Sequence, residues 1–295
     1  MQPVTAGDVS MPLVEGVSHT FVDVDGLFVH VAEAGKGQPL VLLHGWPQNW
    51  YCWRKVIPLL ADRYRLIMPD LRGHGWSEAP PAGYDKEQLA TDLLGLMNVL
   101  DLDDALLVGH DWGGWVGFLA CLREPDRFSS FLALGILHPF QQPSLSKVVQ
   151  SWRGAYQLAL SAPLIASSML RVSPRFVDTA IRLGCFDPTA VDAEDRLLYG
   201  RIFQQPDRAR ATVQLYRTFV VHEVPRLGRY SHERLRVPTT LLIGDRDPIY
   251  AAPFMAGWQE HAEDMSVEVM PDFGHFLPEE APLEVARRVA ELHGR

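Results

Sequence analysis

Short, uniformly apolar runs alternate along the chain with longer stretches whose apolar positions recur at helical spacing. This rhythm predicts a mostly parallel sheet covered by helices on both faces. Two strand-like runs, 22–24 and 27–31, flank Asp25-Gly26, a hairpin signal, so an antiparallel pair precedes the parallel set. Buried strands are then expected at 40–43, 65–68, 105–108, 131–136, 239–243 and 267–270. Helices are expected at 50–60, 85–100, 115–122 and 283–292. Between about Pro139 and Glu233 the alternation stops. No run there reads as a buried strand, and helical segments are interrupted by Pro143, Pro163, Pro174, Pro188, Pro206 and Pro225. The organisation read from this pattern is an α/β core, residues 1–138 and 233–295, with an inserted helical cap at 139–232.

Composition narrows the classes without choosing among enzymes. The 295 residues suffice for one α/β domain with an insertion, and 47% hydrophobic with 21% charged residues is ordinary globular usage. A net charge of -9 without a Lys/Arg cluster predicts no nucleic-acid partner and no anionic membrane partner. The most apolar long stretch, 158–170, is broken by Pro163 and falls short of the roughly 20 residues a membrane span needs. The opening Met1-Gln2-Pro3-Val4-Thr5-Ala6 lacks the basic and apolar regions of a secretory signal, so a cytoplasmic location is expected. Cys52, Cys121 and Cys185 have no metal-like spacing and are read as reduced thiols, with Cys121 a small core residue. A homodimer is left open.

The chemistry concentrates where strands end. Residues 105–108 lead into Gly109-His110-Asp111-Trp112-Gly113-Gly114 and then a helical pattern, the form of a nucleophile elbow, with aspartate at its centre where serine is commoner. A carboxylate attacking a saturated carbon makes an alkyl ester of the enzyme, which water can hydrolyse, whereas a serine ether would be a dead end. Displacement at sp3 carbon, such as opening an epoxide or expelling a halide, is therefore favoured over ester cleavage. Three further strand ends carry His44-Gly45-Trp46-Pro47, the Asp245/Asp247 pair and His275. Nucleophile, acid and histidine thus follow one another in the chain order of elbow hydrolases.

These motifs, with Asp70-Leu71-Arg72-Gly73-His74-Gly75 and Gly274-His275, resemble those of α/β-hydrolases of the epoxide hydrolase family, whose nearest mechanistic relatives are haloalkane dehalogenases. The likeness spans nearly the whole chain. It implies that Asp111 attacks an epoxide carbon, His275 activates water against the ester, and Asp247 orients His275, with Asp245 serving the turn. It also implies an oxyanion hole made by the backbone N–H groups of Trp46 and Trp112, with a cis bond before Pro47 aiming the first. No metal or cofactor is required.

The two families differ in their leaving group. A halide departs as a stable anion, whereas an epoxide oxygen departs as an alkoxide and benefits from an acid. Epoxide hydrolases of this family use two cap tyrosines, and Tyr156, in Tyr156-Gln157-Leu158, and Tyr216, in Leu215-Tyr216-Arg217, resemble them. A phenol with a pKa near ~10 is still protonated at neutral pH. Tyr199 and Tyr230 lack that context and are read as packing residues, as His110, His138, His222 and His232 are read as structural or surface histidines. Trp46 has no side-chain amide of the kind that binds halide in many dehalogenases, and no acid closely follows the strand at 131–136. Trp46, Trp112, Gln157 and Phe276 are expected to contact substrate, with Phe140 and Leu160 nearby; their character points to a hydrophobic epoxide, hydrolysed with water to a vicinal diol. Haloalkane dehalogenase and non-catalytic ligand-binding homologue remain the alternatives.

Overall fold

In the computed structural model, residues 9–141 and 145–293 are described, so the N-terminal hexapeptide and Pro143 lie outside the described residues. One sheet of eight strands has the order β1-β2-β4-β3-β5-β6-β7-β8. β1 (Val17–Val24) and β2 (Leu27–Ala34) form the expected hairpin, and Asp25 and Gly26 both have positive φ, the geometry of the tight turn that matches strand twist. β2 also runs antiparallel to β4 (Tyr64–Pro69). From β4 onward every pairing is parallel, through β3 (Gln38–Leu43), β5 (Ala105–His110), β6 (Phe128–Leu134), β7 (Thr239–Gly244) and β8 (Met265–Met270). β5 and β7 are buried along their whole length, as their uniformly apolar runs require.

The chain steps from β3 outward to β4 and then returns to the other side of β3 as β5. Loops beyond the carboxyl ends of strands diverge at such a reversal, which opens a crevice there. The loops after β3 and β5 carry the two motifs richest in chemistry, so the topology places His44-Gly45-Trp46-Pro47 beside Asp111.

One helix expectation is corrected. Residues 50–60 form a 3-10 turn, Trp50–Trp53, and a single α turn, α1 (Ile57–Leu60), rather than one helix. Pro58 has no N–H to donate to residue 54, so a continuous helix would break there. α2 (Lys86–Val99) agrees with its expected span and starts on Asp85, whose carboxylate accepts the Gln88 N–H at 2.9 Å. α3 (Trp112–Arg123) begins three residues before its expected start and is buried from Trp112 to Cys121.

All described elements between β6 and β7 are helical. They are α4 (Leu145–Gln150), a 3-10 turn (Ser151–Gly154), α5 (Ala155–Leu160), α6 (Pro163–Val172), α7 (Arg175–Gly184), α8 (Ala193–Ile202) and α9 (Pro206–Thr218), then a π-turn (Phe219–Glu223) and 3-10 turns (Val224–His232). Several prolines read as interruptions are starts: Pro163, Pro206 and Pro225 occupy first turns, where a missing N–H costs nothing. α10 (Leu277–Glu280) and α11 (Pro282–His293) close the chain. Buried polar contacts bind the helices to the core: Trp46 Nε1 donates to Thr212 at 3.2 Å, and Tyr199 donates to Glu279 at 3.1 Å. Arg208, 1% exposed, donates to the Ser77 carbonyl. The three cysteines are free, with Cys52 and Cys121 buried, and no described helix is long and apolar enough to cross a membrane.

Candidate active site

Asp111 stands between β5 and α3 with φ 50° and ψ -121°, a backbone conformation that non-glycine residues rarely adopt. Such a residue persists only when its surroundings hold it. Here the Asp111 N–H donates to the Leu134 carbonyl at 3.0 Å and its own carbonyl accepts the Trp115 N–H at 3.0 Å. Close approach explains the flanking glycines: a Cβ on Gly113 would lie 2.5 Å from the carbonyl oxygens of Leu43 and His44, and one on Gly45 would strike the Asp111 side chain. The strained turn thrusts the carboxylate upward at the junction of β3 and β5.

The two carboxylate oxygens have different surroundings. Oδ2 accepts the Trp46 N–H at 2.9 Å, and the Trp112 amide also favours the charged form. Oδ1 faces His275 Nε2 at 3.8 Å, beyond hydrogen-bond length. The Trp46–Pro47 peptide is cis. Burial raises the Asp111 pKa to about 6, against the opposing pull of His275 and the two amides.

His275 follows β8 and is anchored through both backbone groups. Its N–H donates to Gly184, and its carbonyl meets His110 Nε2 at 2.8 Å. Its Nδ1 lies 2.9 Å from Asp247 Oδ2, while Asp247 Oδ1 accepts the Ile249 N–H at 2.9 Å. Burial disfavours the imidazolium, but the Asp247 charge and hydrogen bond, with Asp111 behind them, outweigh it and raise His275 to about 9. Asp245 instead accepts the Asp272 N–H at 2.9 Å, holding the turn between β7 and the histidine loop. Glu280, which the motifs do not single out, accepts the N–H groups of Phe186, Gly274 and Phe276 at 2.7, 3.1 and 3.1 Å and so shapes the loop around His275.

Above Asp111 lies a cavity of about 370 Å³. Its wall includes Trp46, Asp111, Asp247 and His275 from the core, and Tyr156 and Tyr216 from the helices above. Leu160, Met169, Phe176, Leu183, Ile249 and Phe276 make most of the rest apolar. The two tyrosine rings meet edge to face at 6.2 Å between centroids. Tyr216 is 1% exposed; Tyr156 as a whole residue is 41% exposed, but its hydroxyl lies inward beside Tyr216 and Gln157. Burial first, and then negative charge nearby including that of Asp111, pushes both phenols up, so they stay protonated well past neutrality.

The match to the α/β-hydrolase fold family model covers residues 38–282. The chain belongs to the α/β-hydrolase fold family. It is 32% identical over 278 residues to the soluble epoxide hydrolase of Corynebacterium sp. (strain C12), spanning 90% of this chain and 93% of that one. Among solved structures, an epoxide hydrolase called CorEH matches with a TM-score of 0.78 at 30% identity, covering 94% and 99% of the two chains. Cfl2 from Burkholderia cenocepacia matches with a TM-score of 0.80 at 29% identity, covering 94% and 95%.

Within this α/β-hydrolase two expected substrate contacts and one residue expected nearby lie off the cavity wall. Trp112 and Gln157 do not line the cavity: the Trp112 indole is turned beneath Tyr216 and Phe219, and Gln157 sits beside the Tyr156 hydroxyl. Phe140 stacks on His261 at 5.0 Å, away from the wall. Tyr199 and Tyr230 pack and bond to Glu279 and Glu87, while His110 and His138 are buried and His222 and His232 exposed. Met169, Phe176, Thr179, Ala180 and Leu183 line the wall but were not legible as such, because α6 and α7 present apolar faces both to the cavity and to the surface. The described residues contain no metal-like cluster.

Proposed function

We propose that the protein hydrolyses a hydrophobic epoxide to a vicinal diol through an alkyl ester on Asp111. The observation that carries this reading is the pair of protonated phenols, Tyr156 and Tyr216, lining the same cavity as the buried carboxylate. In this reading residues 139–232 are a cap whose role is to bring those acids over the core.

In the first step Asp111 Oδ1, the oxygen that faces His275, attacks an epoxide carbon. The carbon–oxygen bond of the ring breaks, and its electron pair leaves on an oxygen that takes a proton from Tyr156 or Tyr216. Oδ2 becomes the ester carbonyl oxygen and remains beside the Trp46 and Trp112 amides. In the second step water attacks Cγ of the ester, His275 Nε2 receives its proton, and the two amides stabilise the oxyanion on Oδ2. Collapse passes the proton from His275 to the former Oδ1, which leaves with the diol, and the new carboxyl group, holding the water oxygen, gives the second water proton to His275 and becomes a carboxylate again. The apolar wall favours lipophilic substrates, and the family resemblance calls for no cofactor.

The charges suit this order of events. In the free enzyme Asp111 helps hold His275 protonated at neutral pH. Esterification neutralises Asp111 and removes that support, so the histidine can give up its proton to the phenolate left by ring opening and then act as a base when a base is needed. Two limbs follow. Ring opening is expected to fall as pH drops through about 6, where Asp111 gains a proton. Ester hydrolysis is expected to rise with pH, with an apparent pKa below the value of about 9 in the free enzyme. Single-turnover rates between pH 5 and 10 check both, and a pH-independent ring-opening limb would count against Asp111 as the nucleophile.

Styrene-oxide-type epoxides and, separately, chloroalkanes should be offered to the enzyme. Diol without halide release is expected; halide release without diol would assign the dehalogenase reaction instead. Tyr216→Phe should slow ring opening by about 10²-fold. Tyr156→Phe should do less damage, and the double variant should lose more than either, as measured by the rate of ester formation. Equal rates in all three would remove the phenols from the mechanism.

A further inference from the structure

Lys86 is the first residue of α2, yet its side chain is wholly buried. Burying an ammonium is costly unless each of its donors is satisfied, so such a residue is retained for the geometry it enforces. Its Nζ donates to the Leu215 carbonyl and lies 3.4 Å from both Thr218 Oγ1 and Glu223 Oε1. All three partners belong to the helical segment above the core. The same nitrogen sits over the Trp112 ring, 4.5 Å from its centroid, and 5.2 Å from that of Phe219.

Leu215 precedes Tyr216 in the chain, and the Trp112 ring packs edge to face against the Tyr216 ring at 5.5 Å. One ammonium therefore grips Tyr216 from both sides: through the backbone immediately before it and through the indole beneath it. The second wall of that phenol is Trp46, whose ring is 5.5 Å away. We propose that Lys86 is a positioning residue for ring opening, fixing the Tyr216 hydroxyl over Asp111 by tying the cap to the nucleophile helix. This rests on the reading of Asp111 and Tyr216 given above.

The proposal separates the two chemical steps. Ring opening needs the Tyr216 hydroxyl within hydrogen-bond reach of the epoxide oxygen, and an offset of an ångström can cost ~10²-fold. Ester hydrolysis needs the Trp112 amide, which is fixed by the first turn of α3 rather than by the indole. Loss of Lys86 should therefore fall on the first step.

Wild type, Lys86→Met, Lys86→Arg and the charge-neutral pair Lys86→Met/Glu223→Gln should be compared by rapid quench with a styrene-oxide-type epoxide, after circular dichroism establishes folding. The expected result is a fall of about 10- to 100-fold in ester formation for both Met variants, with ester hydrolysis within about twofold of wild type. Lys86→Arg, which keeps cation and donors, should recover part of the loss. Unchanged ester formation in the folded variants, or an equal fall in both steps, overturns the proposal. Failure of every truncated variant to fold also overturns it, by making Lys86 a support of the fold alone. A wild type that forms neither ester nor diol would defeat the functional reading itself, a result distinct from an active wild type indifferent to Lys86.

Discussion

Asp111→Asn is expected to abolish turnover, lowering kcat by about 10⁴-fold or more while leaving the fold intact. Asparagine has nearly the same shape as aspartate and tolerates a positive φ, so the elbow geometry survives. What disappears is the anionic oxygen. A neutral amide cannot open an unactivated epoxide at a useful rate, and neither His275 nor Asp247 is placed to replace it: His275 approaches only Oδ1, and Asp247 is committed to His275 Nδ1 and the Ile249 N–H. The variant should show no mass increase on incubation with epoxide. Wild type turning over once in H₂¹⁸O should return a diol without label and a protein labelled at Asp111. Label in that first diol would mean direct attack of water on the epoxide and would remove the covalent route.

His275→Gln is expected to produce the opposite failure: the reaction should begin and not finish. Asp111 is ionised above pH about 6 without help from a base, so ring opening needs only the carboxylate and a phenol. Hydrolysis of the ester needs a base beside Cγ, and glutamine offers none. Intact-mass analysis should find one equivalent of substrate added per chain, persisting for hours, with steady-state turnover reduced by about 10³-fold or more. Peptide mapping should place the adduct on Asp111. Replacement of Asp247 by Asn should act in the same direction and less severely, because the imidazole remains but loses the partner that orients it and raises its proton affinity. Rapid turnover by His275→Gln would show that the ester is not an intermediate.

The fold was largely legible because its periodicities are strong. The uniformly apolar runs at β3, β5 and β7 could be buried only inside a sheet, and Asp25-Gly26 fixed the hairpin before it. The region from Trp50 to Leu60 was not legible as two short pieces, since its apolar spacing fits one helix and only the missing N–H of Pro58 divides it. The cavity wall was read less well than the motifs. Leu160 and Phe276 line it, but Phe140 stacks on His261 and the Trp112 indole lies underneath Tyr216. An aromatic residue near a motif in sequence is not thereby near the site in space. Lys86 was invisible for a related reason: lysine at the head of an amphipathic helix is ordinarily solvated, and only the helical segment packed above it makes the position an interior one.

By itself the sequence marked the proposed reacting groups and their order, because chemistry depends on side-chain type and because strand ends are marked by local patterns. An aspartate at an elbow, a later acid and a final histidine could be named from the chain alone. Which groups face one another the family resemblance could only suggest, and the contacts themselves were decided by tertiary structure. The pairing of His275 with Asp247 rather than Asp245, the amide of Trp46 on Oδ2, the two phenols above the carboxylate and the ammonium of Lys86 behind one of them all join residues distant in sequence. Their effects on proton affinity are equally non-local. Burial moves Asp111 up and Asp247 holds His275 up because packing removes water and brings charges within a few ångströms, a condition no stretch of sequence can establish alone.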